Sequence, residues 1–335
     1  MTTSRTRLLI VAPYRDEPDF LDTLGDRLTA DIRLMHYTAA RAVSDSLWRR
    51  HLLIFGMAWR AFRASRRYDL VLFGEQFVGL YYALFTRLLF WLPRAPAAAV
   101  LQLIYNRKRG LAGALYRAAY RWLIGAPALS WLVCHASLER NYYLGEFGAA
   151  AGRKIHFVAY GRSTPKSPEE LPGALPEAYF FAGGTSNRDY ATLVEAFRGL
   201  SVRLVIACHP ADLAGLELPP NVKAVHGAYG ERFNDLLEGA RAVVLPIRET
   251  GVSAGQLVLI DAMRAGKACV VTSGSCMEDY VDDACAVRVP ARDAASLRAA
   301  VHFLATNPAA RERLGAAARL RYMRDFTRRA FAERL

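Results

Sequence analysis

"GVSAGQLVLIDAMRAGKACVVTSGS", residues 251–275, joins three kinds of sequence in one breath. Small residues come first, then an apolar window with helical spacing, then the β-rich run KACVVT. Ser253 is expected to cap a helix that starts near Gly255, and Gly266 to close it in the left-handed conformation. A helix feeding directly into an apolar, non-alternating strand is the repeating unit of a parallel sheet covered on both faces. Two features do not belong to packing alone. Gly255 and Gln256 place backbone N–H groups at the positive end of the helix dipole, where phosphate binds. Asp261 lies two turns in, on a face shared with Leu257, Val258, Met263 and Ala265. An ionised carboxylate there needs compensation, either from a nearby arginine or from a ligand such as a ribose diol.

Outward from this unit, the pattern repeats. One series of apolar runs comprises RLLIVAPY, DIRLMHY, DLVLFGE, AAAVLQLIY, LSWLVCHA and KIHFVAYG. A second comprises AYFFAGG, VRLVIACH, NVKAVHG, RAVVLPI, ACVVTSG and CAVRVP. Amphipathic windows separate the runs, among them EPDFLDTLGDRL and SLWRRHLLIFGMAWRAFRAS. Between the series lies GRSTPKSPEELPGALPEA, residues 161–178, with the composition of a linker. The expected organisation is α/β. Residues 1–165 form one Rossmann-like, doubly wound domain and residues 176–317 a second, while residues 318–335 form a helix that packs back across them. A cleft between two such domains, at the carboxyl ends of their strands, is the expected site.

Composition narrows the class of protein. Hydrophobic residues make up 53% and charged residues 22% of the chain, which excludes a disordered polymer. Five scattered cysteines (Cys134, Cys208, Cys269, Cys276 and Cys285) fit buried thiols of a reducing cytosol and offer neither a disulfide framework nor zinc spacing. The apolar stretch around residues 77–92 is broken by Arg87 and stopped by Pro93, short of the roughly 20 apolar residues that a membrane span needs. The N-terminus reads as a first strand rather than a secretory signal. Residues 1–160 hold 22 Lys/Arg against 11 Asp/Glu, whereas residues 161–335 hold 22 against 20. The first half of the chain therefore faces something anionic.

A second candidate is FAGGTSNRDYATLVEAF, residues 181–197. A strand ends at Gly183-Gly184, a helix is expected to open after Ser186 or Asn187, and Arg188 stands at the lip. Arg188 reads either as a bidentate grip for a diphosphate or as a solvated first-turn residue. Taken together, GG-x-SNRD-x-x-T-L, NVKAVHG, LLEGARAVVLPIRE and SAGQLVLIDAMRAGKACVVT resemble the C-terminal domain of family 4 glycosyltransferases of the GT-B fold. That family typically carries P-S-x-x-E-G-F-G-x-x-x-L-E-A-M-A-x-G-x-P-V-V. The run LIDAMRAGKACVV matches its second half, and WLVCHASLERNYYLGEFG resembles, more loosely, the end of its N-terminal domain.

The resemblance implies two Rossmann-like domains facing across a cleft and transfer of a sugar from a nucleotide-sugar donor, mostly with retention and without metal or other cofactor. It puts Asp261 on the nucleotide ribose and Arg188 at the position of a diphosphate-binding lysine. The chain also departs from the family. Ser253 stands where the first glutamate, the sugar-gripping one, belongs, with Glu249 nearby as its replacement. Gly184 or its neighbour replaces an arginine, and APYRDEPDF replaces a Gly-rich acceptor loop. His226, in AVHGAYG, falls where the third strand of the C-terminal domain backs the base, whereas the seven histidines as a set show neither triad nor metal spacing.

In the first half, FGEQF brings Glu75 and Gln76 to a strand end, Glu75 serving as an acceptor-hydroxyl contact or as a simple helix cap. Residues 106–122, NRKRGLAGALYRAAYRW, set Leu111, Leu115, Ala118 and Trp122 at helical spacing, beside Arg107, Lys108, Arg109, Arg117 and Arg121. Residues 48–67 repeat the flavour. Such helices either lie in a lipid interface or cover a sheet with solvated arginines. The expectation is a glycosyltransferase of surface-polysaccharide assembly, peripheral on the inner face of the cytoplasmic membrane. Its partners are a nucleotide-sugar donor, a saccharide or lipid-linked acceptor and an anionic membrane, with no nucleic acid. The alternatives are a nucleotide-sugar epimerase on the same fold and a basic nucleic-acid-binding protein, the latter lacking any nucleic-acid motif.

Overall fold

The β-branched and apolar runs become strands because both their faces are covered, and the computed structural model shows all twelve expected runs as strands. It describes residues 5–13, 18–38, 46–163, 178–251 and 253–335. Residues 164–177 of the expected linker and residues 14–17 of APYRDEPDF lie outside the described residues. The chain divides into unit 1, Met1–Val158 with Ala332–Leu335, and unit 2, Ala159–Phe331.

Unit 1 contains β1 (Thr6–Ala12), β2 (Ala30–His36), β3 (Leu70–Phe73), β4 (Ala97–Val100), β5 (Leu129–Cys134) and β6 (Ile155–Phe157). They pair in parallel in the order β2-β1-β3-β4-β5-β6. The order reverses between β1 and β3, so the carboxyl ends of these two strands form the crevice of a doubly wound sheet. Helices α1 (Pro18–Leu28), α2 (Leu47–Ser65), α3 (Gln76–Leu88), α4 (Gly110–Ile124) and α5 (Ser137–Gly152) provide the crossovers. The inner face of α2 packs through Phe62 on Tyr82 and Phe85 of α3. Arg7 grips Asp69 across the start of β1 and β3 with a bidentate pair at 2.8 and 3.2 Å, which holds the Asp69 carboxyl down at about 2.

Unit 2 contains β7 (Tyr179–Gly183), β8 (Arg203–Ala207), β9 (Val222–Val225), β10 (Ala242–Leu245), β11 (Ala268–Thr272) and β12 (Ala286–Val289). Their parallel order, β12-β11-β10-β7-β8-β9, is that of a dinucleotide-binding sheet, with its switch point between β7 and β10. The helices are α6 (Tyr190–Phe197), α7 (Glu231–Glu238), α8 (Gln256–Arg264), α9 (Ala294–Thr306), α10 (Pro308–Arg321) and α11 (Arg328–Arg334), with a π turn over Tyr322–Phe326. α10 lies on β11 and α8. Gly315 permits this approach, because a Cβ there would sit 2.1 Å from the Gly266 carbonyl oxygen.

Candidate functional site

The switch point of unit 2 is built by the turn after β7 and the loop after β10. Gly184 adopts φ +106°, and a Cβ on it would come within 2.8 Å of Arg188 Nη2. The turn therefore wraps the arginine. Arg188 is only 6% exposed, and its Nε and Nη1 donate to the carbonyls of Gly183 at 3.0 Å and Ser186 at 2.7 Å. Among the described residues no carboxylate forms an ion pair with it, and two carbonyl dipoles hold the buried cation while Asp212 acts on it without an ion pair. Burial pulls its pKa down, opposed by Tyr190 and Asp212. Contrary to expectation, the helix opens two residues later, capped by Asp189, which accepts from the Thr192 N–H at 3.2 Å. Arg188 thus precedes α6 in a bridge to Ile247, and it is not the solvated first-turn residue of the second reading.

The loop after β10 is laced to this turn. Asn187, left-handed at φ +54°, donates from Nδ2 to the Glu249 carbonyl at 2.7 Å and accepts the Glu249 N–H at 3.0 Å. Glu249 has its backbone fixed beside Arg188 while its side chain is exposed. Arg248 donates to the Arg188 carbonyl at 3.1 Å. The expected Ser253 cap is replaced. Gly255, at φ +96°, is the N-cap of α8, and a Cβ there would meet Met277 Sδ at 2.7 Å. Ser253 Oγ instead accepts from Gln256 Nε2 at 2.7 Å, which folds the glutamine side chain back over the helix mouth. The first backbone N–H groups of α8 are those that intrahelical bonding leaves over.

Asp261 is 5% exposed, and the arginine alternative holds for one of its oxygens. Oδ2 accepts from Arg162 Nη1 at 2.9 Å, while Oδ1 lies 4.0 Å from Arg264 Nε, outside hydrogen-bonding distance. Arg264 is itself paired with Glu238 at 2.8 Å. Burial raises the Asp261 pKa, Arg162 and then Arg264 lower it, and Glu238 raises it again. Arg162 is anchored within unit 2, its N–H donating to the Phe326 carbonyl and its carbonyl accepting from Tyr322 Oη. At the edge of the sheet, His226 is exposed, with Nδ1 donating to the Cys208 carbonyl at 2.9 Å, which leaves Nε2 as the acceptor. All five cysteines are free and buried. Burial pushes the Cys208 thiol up to about 11 and Cys134 up to about 12, which suits packing and not nucleophilic chemistry. Among the described residues no three His, Cys, Asp or Glu side chains converge as a metal site.

In unit 1, Glu75 is the N-cap residue of α3 but makes no side-chain cap. Its Oε2 accepts from Tyr37 Oη at 2.8 Å, at the β1/β3 crevice. Gln76 is structural, its Oε1 accepting from the Ile104 N–H and from Tyr120 Oη. On α4, the buried residues are Gly113, Tyr120 and Ile124, whereas Leu111 is 87% exposed and Leu115 and Trp122 also face out. On α2, Trp48 is 81% exposed and Leu52 also faces out, whereas Phe55 and Trp59, partly exposed, pack their rings on Phe85 of α3. Trp48 and Leu52 of α2 and Leu111 and Leu115 of α4 are thus surplus to the core. Arg107 and Arg117 approach Glu146 at 3.4 and 3.9 Å, Lys108 stands over Tyr116, and Arg109 and Arg121 are exposed. Among the described residues no helix is long and apolar enough to cross a membrane.

The structure therefore gathers Gly184, Asn187, Arg188 and Glu249 at one point and sets Ser253, Gly255, Gln256 and Asp261 on the adjoining loop and helix. Sequence reasoning missed Arg162 and Arg248. Arg248 was readable as the residue beside Glu249. Arg162 lay in what read as linker, and its partners Asp261 and Tyr322 are 99 and 160 residues away.

Comparison with known proteins adds a family likeness over part of the chain. Residues 176–307 match the family described as "Glycosyl transferases group 1". No curated protein sequence matches the chain. HepE from Anabaena, solved in complex with UDP, is 10% identical at a TM-score of 0.67, over 98% of this chain and 97% of that one. Sucrose-phosphate synthase from Thermosynechococcus elongatus is 15% identical at a TM-score of 0.69, over 98% and 97%. The lipopolysaccharide outer core galactosyltransferase WaaB is 9% identical at 0.61, over 98% and 97%. At these identities the likeness carries the fold alone, two Rossmann-like units of the GT-B class. The match makes residues 176–307, well under half of the chain, similar to the group 1 glycosyltransferases.

Proposed function

We propose that unit 2 holds a nucleotide-sugar donor at its β7/β10 switch point and that the sugar passes to a saccharide or lipid-linked acceptor bound by unit 1. The observation that carries the reading is Arg188, a buried guanidinium bonded to two carbonyls and paired with no carboxylate among the described residues. A diphosphate supplies the missing anion. As the glycosidic bond breaks, negative charge grows on the leaving diphosphate. Arg188 and the free N–H groups at the start of α8 stabilise it where it forms, without reorganising. Asp261, with Oδ2 on Arg162, keeps Oδ1 for a ribose hydroxyl. His226 Nε2 is an acceptor for a base N–H, and Glu249 takes over the sugar hydroxyls in place of the glutamate that Ser253 lacks. Glu75, set by Tyr37, contacts the acceptor hydroxyl. That HepE was solved with UDP and with UDP-glucose supports a uridine nucleotide as the first donor to test.

Retention without a metal, a role in surface polysaccharide assembly and residence on the inner face of the cytoplasmic membrane complete the reading. The exposed Leu/Trp stripes of α2 and α4, rimmed with arginine, support an anionic membrane as the surface that presents the acceptor. Calorimetry with UDP and a transfer assay test the donor site together. Arg188→Ala is expected to lose on the order of tenfold to a hundredfold in UDP affinity, the worth of one or two charge-assisted hydrogen bonds. Undiminished affinity in a folded Arg188→Ala protein overturns the assignment, and donor turnover without acceptor points to the epimerase instead.

A further inference from the structure

Unit 1 has a cavity of about 550 Å³ outside the Glu75 crevice, lined by Tyr105, Arg107, Lys108, Arg109, Gly113 and Arg117. It lies where the chain leaves β4 and enters α4, at the carboxyl end of the sheet. We infer that this cavity is a subsite for a phosphate or diphosphate group of the acceptor, an inference that rests on the transferase reading of the site. Three features build it. Four cations line it, and among the described residues the one carboxylate that pairs with them, Glu146, approaches Arg107 and Arg117, which leaves a positive excess. The loop is pressed onto the first turn of α4, because a Cβ on Gly113 would lie 2.1 Å from the Lys108 carbonyl oxygen. The leftover N–H groups of a 15-residue helix therefore open beside the same cations.

The third feature points to a ligand directly. Tyr105 is 3% exposed, clamped between Tyr116, Tyr120 and Phe147 with ring centroids 4.9 to 5.5 Å apart, and its hydroxyl has no hydrogen-bond partner among the described residues. An unpartnered buried hydroxyl costs about 1–3 kcal/mol. Burial raises the phenol's pKa, so the group stays protonated and able to donate. A phosphate oxygen accepts from it and pairs with the arginines, satisfying both. The exposed leucines of α4 lie one turn along the same helix, so a phosphate joined to an apolar chain matches the surface as well as the pocket.

Calorimetric titration of inorganic diphosphate into the full-length protein saturated with UDP tests this. Saturable binding of one diphosphate is expected, weakened several-fold by Tyr105→Phe and at least tenfold by Lys108→Ala combined with Arg117→Ala, with UDP affinity unchanged in both. Absence of saturable binding, or equal affinity in all three proteins, overturns the subsite. Vesicles of phosphatidic acid in phosphatidylcholine that displace the diphosphate assign a lipid phosphate. Failure to displace assigns a soluble phosphorylated acceptor, and either supports the site. If UDP does not bind while diphosphate binding still tracks the variants, the donor reading falls and the subsite stands.

Discussion

Replacing Arg162 with alanine exposes how the buried Asp261 is tolerated. Arg162 is about one-third exposed at its side chain (36%) and Asp261 almost not at all (7%), with 2.9 Å between them. Its backbone ties to Phe326 and Tyr322 survive the substitution, so the change removes the guanidinium and little else. Breaking a fully buried pair costs about 3–5 kcal/mol, whereas an exposed pair contributes about 0–1 kcal/mol. With one end open to water, the loss falls near 2 kcal/mol. For a unit of this size that lowers the melting temperature by about 4–8 °C.

All five tryptophans, Trp48, Trp59, Trp91, Trp122 and Trp131, belong to unit 1, so tryptophan fluorescence follows that unit while circular dichroism follows both. The deficit is expected in the dichroism transition and not in the fluorescence one. It also has a signature in pH. Burial already raises the Asp261 pKa above 3.8, and Arg162 is the strongest influence lowering it. Without Arg162 the folded-state value rises further, so the folded protein binds the proton more tightly than the unfolded chain. Stability then falls as pH rises from the unfolded value through the folded one. The variant's deficit relative to wild type must therefore grow with pH, and Asp261→Asn in the same background should remove the growth. A deficit that is constant in pH, or absent, refutes the claim that Arg162 compensates this carboxylate.

Gly184→Ala forces a side chain into φ +106° and onto Arg188 Nη2 at 2.8 Å, which should cost about 1–3 kcal/mol of stability. It should weaken UDP binding at least as much as the fold, and calorimetry showing wild-type affinity would mean that Arg188 is free to move. Asn187→Gly keeps the left-handed backbone and deletes both bonds to Glu249. Transfer should fall with little change in melting temperature, whereas Asn187→Ala should lose about 1–2 kcal/mol as well. In unit 1, the Asp69 carboxyl, held at about 2 by Arg7, contributes stability that is present above the unfolded value of 3.8 and lost as pH falls toward 2. Acid unfolding followed by tryptophan fluorescence should be less steep in Asp69→Asn.

The sheets were legible because parallel strands carry their burial on both faces. Runs such as RLLIVA and AVVL have no polar alternation to misread, and every one of them became a strand. Local caps were less legible. Ser253 looked like the cap of α8 by composition, yet the N-cap falls on Gly255, whose φ of +96° favours glycine, and the serine turns to Gln256 instead. The start of α6 was misplaced for a similar reason. Asp189 takes the Thr192 N–H, and the bridge to Ile247, more than fifty residues away, draws Arg188 out of the helix. Ile247 lies outside the window that a local reading can weigh.

Counted charge and buried charge point to different places in the molecule, and the reason is physical. Counting places the excess in the first half of the chain, where arginines stand in water and keep their own hydration. Such cations attract anions at a distance but are screened by salt within roughly 10 Å at 0.1 M. Unit 2 is nearly neutral by count, yet Arg188 has given up its water for two carbonyl dipoles that cannot neutralise it. A buried charge with dipoles but no counterion gains most when an anion arrives, because its desolvation has already been met by folding. On the proposed reading, the near-neutral unit is therefore the one that holds a diphosphate more strongly, and the basic unit the one that an anionic surface attracts more strongly. Which arginine is which follows from the Gly183-Gly184 turn closing over Arg188, a property of backbone geometry that no count of residues contains.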